Sequence, residues 1–488
     1  MSEWKKVFEN NVSLYCRIII QYLIKSGWKC ISIDDYTKKM PDFPVKEAVL
    51  SKLYKKEGLF PIVSQSKDLI SGFSDDEKLL NKISEPIIIF GDHTQVVKYI
   101  DFDFVLGADG TKILTVTNDY NPKFLYYLIK SIDLHSNKYA RHYSKLRKEK
   151  IPFQENSLSL QIKIVSFLDS LENNNISDEP YFDKETEKKI LSLQKNSLNI
   201  QLIEKEIESQ KNYIKQLRQN ILQEAIEGKL TADWRKQNPV QKGNPDYDAE
   251  ALFEQIQKER INEKKQKELS PITDEEKTFE IPEGWKWVRL GEICNKIEAG
   301  KSILCNEKIP SNDEIGIVKT GVCSFGKFKE NESKTCLSKN DWHDEYEIKR
   351  GDFLIGRANT LELVGSCVIV DSINKKLMLS DKILRIVFCN FVNHFFILYM
   401  MKSKFLRSQI EKSSTGSSPT MKNISQESIK NYVLPLPSLK EQEEIVNEVE
   451  TLLAKVTTLE NQIQDRKSLS DKLIFGIIKE NLEEKNGI

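Results

Sequence analysis

One order of segments runs through this chain twice, and that repetition constrains the fold more than any other feature. Gly-Trp-Lys opens SGWKCISIDDYTKK (26–39) and again EGWKWVRLGEICNK (283–296), each time followed by the alternation of β-branched and polar residues that a strand requires. PIIIFGDHT (86–94) is echoed by GDFLIGRANT (351–360), and VLGADGTKIL (105–114) by LMLSDKILRI (377–386). NDYNPKFLYYLIKS (118–131) aligns without gaps to NFVNHFFILYMMKS (390–403), each reading as a short helix with a dense apolar face. KIPFQENSLSLQIKIVSFLDSL (150–171) then matches VLPLPSLKEQEEIVNEVETLL (433–453). Similar sequence in a kept order implies two copies of one fold unit.

Each copy is followed by a heptad pattern. Ile200, Ile203, Ile207, Ile214, Leu217 and Ile221 form an a/d seam with Gln210 at a skipped position. Ile445, Val449, Leu452, Val456, Leu459 and Ile463 repeat it, and Leu473 and Ile477 resume it after Arg466 and Ser470. Two matching seams favour an antiparallel coiled coil over two amphipathic helices on separate cores. Gly228 suits the C-terminal cap of the first long helix. The expected layout is therefore α+β: an extension at 1–26, one domain at 27–172, a long helix at 183–230, a polar linker with a helix at 231–280, a second domain at 281–437 and a second long helix at 438–486. Residues 1–25 have no partner in the repeat and read as an extra amphipathic helix.

At 488 residues with 39% hydrophobic content, the chain can fill more than one core. Its 73 basic and 73 acidic side chains cancel, so a nucleic-acid surface must come from local patches. The eight cysteines form no CxxC pair, which argues against a zinc framework and for reduced thiols. Apolar runs such as 16–24 and 394–401 are too short or too interrupted to span a bilayer, and a cytoplasmic protein is expected.

The catalytic near-motifs fail one by one. EAGKS (298–302) contains the Gly-Lys-Ser of a phosphate loop, but Asn295 stands where that loop needs its first glycine. NPDY (244–247) and NPKF (121–124) resemble the loop with which amino-methyltransferases hold a flipped adenine, yet both lack its second proline. DEYEIKRGD (344–352) has the composition of a metal-dependent nuclease without a counterpart in the other copy. Asp92 and His93 have no nucleophile beside them in sequence. No catalysis and no bound cofactor are expected of this chain.

The polar residues worth noting sit instead in loops between strands. The first copy offers Ser64, Gln65, Ser66 and Lys67, then Asp92, His93 and Thr94, then Asp109, Thr111 and Lys112. The second offers Lys319 and Thr320, then Arg357, Asn359 and Thr360, then Ser380, Asp381 and Lys382, with Ser417 and Lys422 in SSTGSSPTMKN (413–423). Arg and Lys read guanine edges, Gln and Asn adenine edges, and hydroxyls contact phosphates. The cores repeat while the loops diverge, as in one scaffold that reads two short sequences.

In FPIVSQSKDLISGF (60–73), LRQNILQEAIEGKLTADWRKQNP (217–239), IPEGWKWVRLGEI (281–293) and LPLPSLKEQEEIV (434–446), together with 86–114, the chain resembles the specificity (S) subunit of type I restriction-modification systems, the HsdS family. The resemblance implies two target-recognition domains, each binding one half of a bipartite asymmetric site in double-stranded DNA. Two antiparallel helices would set the spacer and dock two methyltransferase (M) subunits, with Ile203, Ile207, Ile214, Leu217, Ile221, Val449, Leu452, Val456, Leu459 and Ile463 at the seam. It also implies S-adenosylmethionine in the M subunits, and ATP and Mg in two restriction (R) subunits. Leu-Pro-Leu-Pro…Glu-Gln is degraded to Ile-Pro-Phe…Leu-Gln at 151–161, so contacts there are expected to differ. A scaffold that binds protein alone, or a stand-alone methyltransferase or nuclease, are the rival readings.

Overall fold

The glycine of each Gly-Trp-Lys explains why that tripeptide recurs. Gly27 has φ +93° and Gly284 φ +84°, left-handed values that a side chain disfavours, and each turn delivers a buried tryptophan, Trp28 or Trp285, to the head of a strand. The computed structural model describes residues 11–39, 41–107, 110–117, 120–132, 134, 141–172, 182–261, 269–323, 326–418 and 421–482. The chain divides into two compact units, residues up to 208 with those from 464 onwards, and residues 209–463.

In the first unit, six strands carry the repeat: β1 (Lys29–Ser32), β2 (Phe60–Val63), β3 (Ile87–Gly91), β4 (Phe104–Leu106), β5 (Thr111–Leu114) and β6 (Lys150–Phe153). β1 pairs antiparallel with β6, β2 parallel with β4, and β3 antiparallel with β5. The fully buried run Ile87–Gly91 places β3 between β5 and Val97–Ile100, while β2 and β4 sit inside a four-stranded sheet edged by Gly72–Ser74 and Leu80–Asn81. Helix α1 (Asn11–Lys25) buries Leu14, Tyr15, Ile18, Ile19 and Leu23 on one face. They pack with Phe124, Leu125 and Leu128 of α2 (Pro122–Ser131), so the segment that has no place in the repeat completes this unit's core.

The second unit repeats the six strands as β7 (Lys286–Arg289), β8 (Ile315–Val318), β9 (Phe353–Gly356), β10 (Lys376–Met378), β11 (Ile383–Phe388) and β12 (Val433–Leu436). Their pairings are those of the first unit, β7 with β12 antiparallel, β8 with β10 parallel and β9 with β11 antiparallel.

The two copies also share a buried clamp. In each, an asparagine caps the short apolar helix: Asn121 accepts from the amides of Lys123 and Phe124, and Asn393 from those of Phe395 and Phe396 at the head of the helix His394–Lys402. NPKF is therefore a helix start with proline at its first turn, not an adenine loop. The capping asparagine is itself held by a wholly buried glutamine. Gln161, on α3 (Leu158–Glu172), accepts from the Asn121 amide at 2.9 Å, and Gln442 accepts from the Asn393 amide at 2.9 Å. The Gln of the Glu-Gln motif thus survives in both copies because it closes the fold. The Glu does not: Glu441 accepts from Thr231, Arg235 and Trp285 in the second unit, whereas Leu160 takes its place in the degraded motif and is 36% exposed.

Within 231–280 the described residues are more deeply packed than a surface linker. Ala249, Leu252 and Ile256 of the helix Ala249–Ile261 are fully buried, and Arg289 bonds the carbonyls of Ser270 and Pro271.

The long helices are α4 (Lys184–Ile226) and α5, here used for the C-terminal helix Leu439–Leu482, and each has part of its length in either unit. Their seams differ from the expected a/d pattern. On α4, Leu193, Ile200, Ile207, Ile214 and Ile221 are buried at every seventh position, while Ile203 and Leu217 are 39% and 40% exposed. On α5, Val449, Val456 and Ile463 are buried, Leu459 is 43% exposed, and the closed row continues through Ser470 to Ile477 with Ile474, not Leu473, turned inward. Ile474 and Ile477 share the first unit's core with Ile190, Leu193 and Ile200. In the second unit Arg218 clasps Glu460 through two hydrogen bonds of 2.9 and 2.7 Å, and Glu441 meets Thr231 just past the end of α4. Numbers rise on one helix as they fall on the other, so the pair is antiparallel.

No helix among the described residues is long and apolar enough to cross a membrane, and no cluster of three or more His, Cys, Asp or Glu there could hold a metal ion.

Candidate nucleic-acid interface

In the second unit the loops that follow β8, β9 and β10 gather most of the nominated residues. Lys319, Thr320, Asp381 and Lys382 line one cavity of about 470 Å³, with Ser380 in its wall. Arg357 stands next to it, its amide donating to the Lys382 carbonyl at 2.9 Å and its carbonyl accepting from the Ile424 amide. Asn359 is in register with Lys422 across the short ladder Ala358–Asn359 to Lys422–Asn423, and its side chain accepts from the Thr360 amide. Backbone hydrogen bonds thus hold Arg357 while, among the described residues, its guanidinium makes no hydrogen bond or ion pair. Lys422 donates to the Gly416 carbonyl, folding the exposed loop that carries Ser417 back on itself.

The first unit gathers its residues differently. The Gln65 side chain accepts from the His93 amide at 3.3 Å, and the Thr94 hydroxyl donates to the Gln65 carbonyl at 2.8 Å, joining the loops after β2 and β3. Thr111 is opposite Gly91 in register, and Lys112 lies 5.9 Å from the centre of the Tyr143 ring. Lys67 is exposed at the tip of its loop, whereas Ser66 is tied to Ser71 at 2.8 Å and to the Asp68 carbonyl. Asp109 lies outside the described residues.

Asp92 departs from its nomination. It is 5% exposed, its carboxylate accepts from the Tyr143 amide at 2.8 Å and its carbonyl from the His142 amide. A carboxylate turned inward to hold a neighbouring loop is not placed to meet a base edge.

Sequence reasoning missed further polar side chains. Lys301, Ser302, Lys334 and Glu307 line the cavity of the second unit. Lys301 had a signal, the Gly-Lys-Ser; Lys334 and Glu307 had none, because sequence does not say that Ser333–Cys336 and the bend after Cys305–Asn306 meet beside β8. In the first unit, Lys98 is 4% exposed and donates to the carbonyls of Asp68 and Leu69, bracing the loop that presents Lys67. Burial lowers its ammonium below the ordinary lysine value, with Asp68 opposing.

Residues 282–466 match the family described as the type I restriction modification DNA specificity domain. The specificity subunit of the type I restriction enzyme EcoEI of Escherichia coli is 32% identical over 256 residues, 51% of this chain and 42% of that protein. The EcoAI specificity subunit, also of Escherichia coli, is 28% identical over 264 residues, again 51% and 42%. The alignments thus span less than half the length of these relatives. A solved chain from work on complex assembly and conformational transition of the type I R-M system covers 93% of this chain and 97% of its own length, with TM-score 0.51 and 14% identity, a likeness of fold.

Proposed function

We propose that the chain is a specificity subunit of a type I restriction-modification system and supplies DNA sequence recognition to such a complex. Each recognition domain, 27–172 and 281–437, reads one half of a bipartite asymmetric site. The long antiparallel helices set the spacer and dock methyltransferase subunits. The observation that carries this reading is the divergence of loops on one repeated scaffold. After the same buried strand, one copy continues Gly91-Asp92-His93-Thr94 and the other Gly356-Arg357-Ala358-Asn359-Thr360.

Specific contacts come from Gln65, Lys67, Thr94 and Lys112 in one domain and from Arg357, Asn359, Thr360 and Lys422 in the other, each good base contact contributing about 1–3 kcal/mol of discrimination. Lysines on phosphates give affinity that falls with salt. Docking surface is available on the long helices, where Leu202, Leu217, Leu459 and Leu469 are 66%, 40%, 43% and 68% exposed. The chain itself is non-catalytic. Two M subunits bring S-adenosylmethionine and two R subunits bring ATP and Mg, in the cytoplasm where the DNA lies.

The test is to co-express the chain with its neighbouring M subunit and map methylated adenines in the host genome. The expected result is one new bipartite motif with a fixed gap. A soluble complex whose methylation equals that of M alone would refute sequence reading and leave a protein-binding scaffold.

A further inference from the structure

The cavity of the second unit has the chemistry of an anion pocket, and two observations independent of the loop nominations say so. The first is Ser380, a residue of the cavity lining that is 6% exposed and whose shielded hydroxyl has no hydrogen-bond partner among the described residues. A buried polar atom left without a partner costs free energy unless something fills the space before it. The second is a set of lysines in the lining, drawn from several segments. Lys319 follows β8, Lys334 lies on Ser333–Cys336, Lys382 is paired with Asp381 at 3.1 Å, and Lys301, whose ammonium lies 5.5 Å from the centre of the Tyr346 ring, belongs to the Gly-Lys-Ser that fails as a nucleotide loop.

The backbone explains how that remnant reaches the cavity. Gly300 packs so tightly on Leu379 that a Cβ there would lie 1.9 Å from the Leu379 carbonyl oxygen, and Lys301 bridges to Ser380. Glycine at 300 therefore brings Lys301 and Ser302 beside the end of β10. No helix follows, so the segment lacks the amide cradle of a nucleotide-hydrolysing loop.

The carboxylate of Glu307 already occupies the place of an anion. It lies 2.6 Å from the Lys319 ammonium and 3.8 Å from that of Lys334, yet its side chain is 74% exposed. Hydrogen bonding from Lys319 holds the Glu307 carboxyl below the usual carboxylate range.

We propose that this cavity is a phosphate pocket, held by Lys301, Lys319, Lys334 and the Ser380 hydroxyl, in which Glu307 is a built-in competitor that the ligand displaces. A DNA phosphodiester and free phosphate share this chemistry, and the diester is favoured because the Arg357 amide bonds the carbonyl of Lys382, a residue of the lining, which brings the recognition loop beside the cavity. That preference rests on the recognition function proposed above; the pocket itself does not.

Inorganic phosphate is titrated calorimetrically into the full chain and its Glu307→Gln, Ser380→Ala and Lys319→Gln variants, against chloride at matched ionic strength. Binding of a labelled duplex is followed by anisotropy across salt. Glu307→Gln should tighten phosphate binding roughly 2- to 5-fold, the range of an exposed ion pair. Ser380→Ala should weaken it about 10-fold. If the diester is the ligand, Lys319→Gln also lowers the salt slope of duplex binding by about one. Phosphate binding that follows the variants while duplex binding does not assigns the pocket to free phosphate. No phosphate binding above chloride, with duplex affinity equal in all four proteins, overturns the pocket and leaves DNA reading intact. Phosphate binding without any duplex binding keeps the pocket and overturns DNA reading. Glu307 is exposed, so its variant is the one least able to fail by misfolding, and a urea midpoint equal to that of the parent confirms it.

Discussion

Replacing Gln442 by leucine separates two meanings of the Leu-Pro-Leu-Pro…Glu-Gln segment, a docking motif or an internal clamp. Gln442 is 0% exposed; its carbonyl accepts from the Asn393 amide at 2.9 Å and its amide donates to the Pro437 carbonyl at 3.2 Å. Leucine fills nearly the same volume, so the cost is that of the two backbone groups left unmet. A buried unsatisfied donor or acceptor costs about 1–3 kcal/mol, and since Asn393 is only partly buried the pair should cost about 2–4 kcal/mol. With an m-value of about 2–3 kcal/mol/M, the urea midpoint of the second unit falls by on the order of 1 M. Hydrogen exchange localises the effect: the amides of Phe395 and Phe396, which donate to the Asn393 side chain, should lose protection before those of β9 and β11. The matched change Gln161→Leu should do the same to Phe124 in the first unit, because Gln161 is equally buried and bonds the Asn121 amide at the same distance. A Gln442→Leu protein with an unchanged midpoint but no M-subunit assembly would refute the clamp and make the glutamine a docking residue.

Arg357→Ala should weaken duplex binding at one half-site by about 1–3 kcal/mol and leave the urea midpoint unchanged, since the guanidinium has no partner to lose; a lowered midpoint would make it structural. Deleting one heptad from α4 removes about 10 Å of helix and should change the gap in the methylated motif or abolish methylation; an unchanged gap refutes the spacer role. Burial lowers the His394 imidazole below its ordinary value, so on acidification the unfolded chain takes up its proton first. The second unit should lose stability as pH falls below about 6.5, levelling off past the folded value, and His394→Gln should flatten that slope. Cys305 and Cys336 face each other across paired strands with sulfurs 3.8 Å apart, so a mild disulfide-exchanging oxidant such as oxidised glutathione should join them first, as seen by peptide mapping under non-reducing conditions. Preferential loss of exposed Cys30 to glutathione adducts, with the pair still reduced, would show that the strands hold the sulfurs apart.

The sequence made the repeat legible because each repeated signal has a strict local cause. Gly27 and Gly284 take up left-handed turns, and Asn121 and Asn393 cap helices, so each pair does the same structural task in both copies. The seams were only half legible. Heptad spacing says that Ile203, Leu217 and Leu459 are apolar at d positions, not that a partner helix covers them, and they are more than a third exposed. Gln161 and Gln442 were visible as residues of a motif, but their role was not, because a buried polar side chain is defined by what it meets in three dimensions. The same holds for Glu307, whose two lysine neighbours come from different segments.

The position after the glycine that ends β3 and β9 is fastened differently in the two copies, which bears on the proposal that one scaffold serves two readings. In the first copy it is Asp92, whose carboxylate turns inward to accept from the Tyr143 amide and fastens the 141–146 segment to the sheet. In the second it is Arg357, fastened by its backbone to Lys382 and Ile424, with its guanidinium making no hydrogen bond or ion pair among the described residues. The fastening is required in both places, because a loop that presents side chains to a ligand must not move with them. On the proposed recognition reading, a side chain is released for base contact where the backbone does the fastening, and the contact passes to neighbours such as Gln65, Thr94 and Lys112 where the side chain does it. Arg357→Asp would therefore not convert the second domain to the first domain's specificity, since no Tyr143 amide waits there to receive the carboxylate. Transfer of a half-site specificity would require exchanging the whole loop set, and a methylation map of an Arg357→Asp chain that acquired the first half-site twice would defeat this argument.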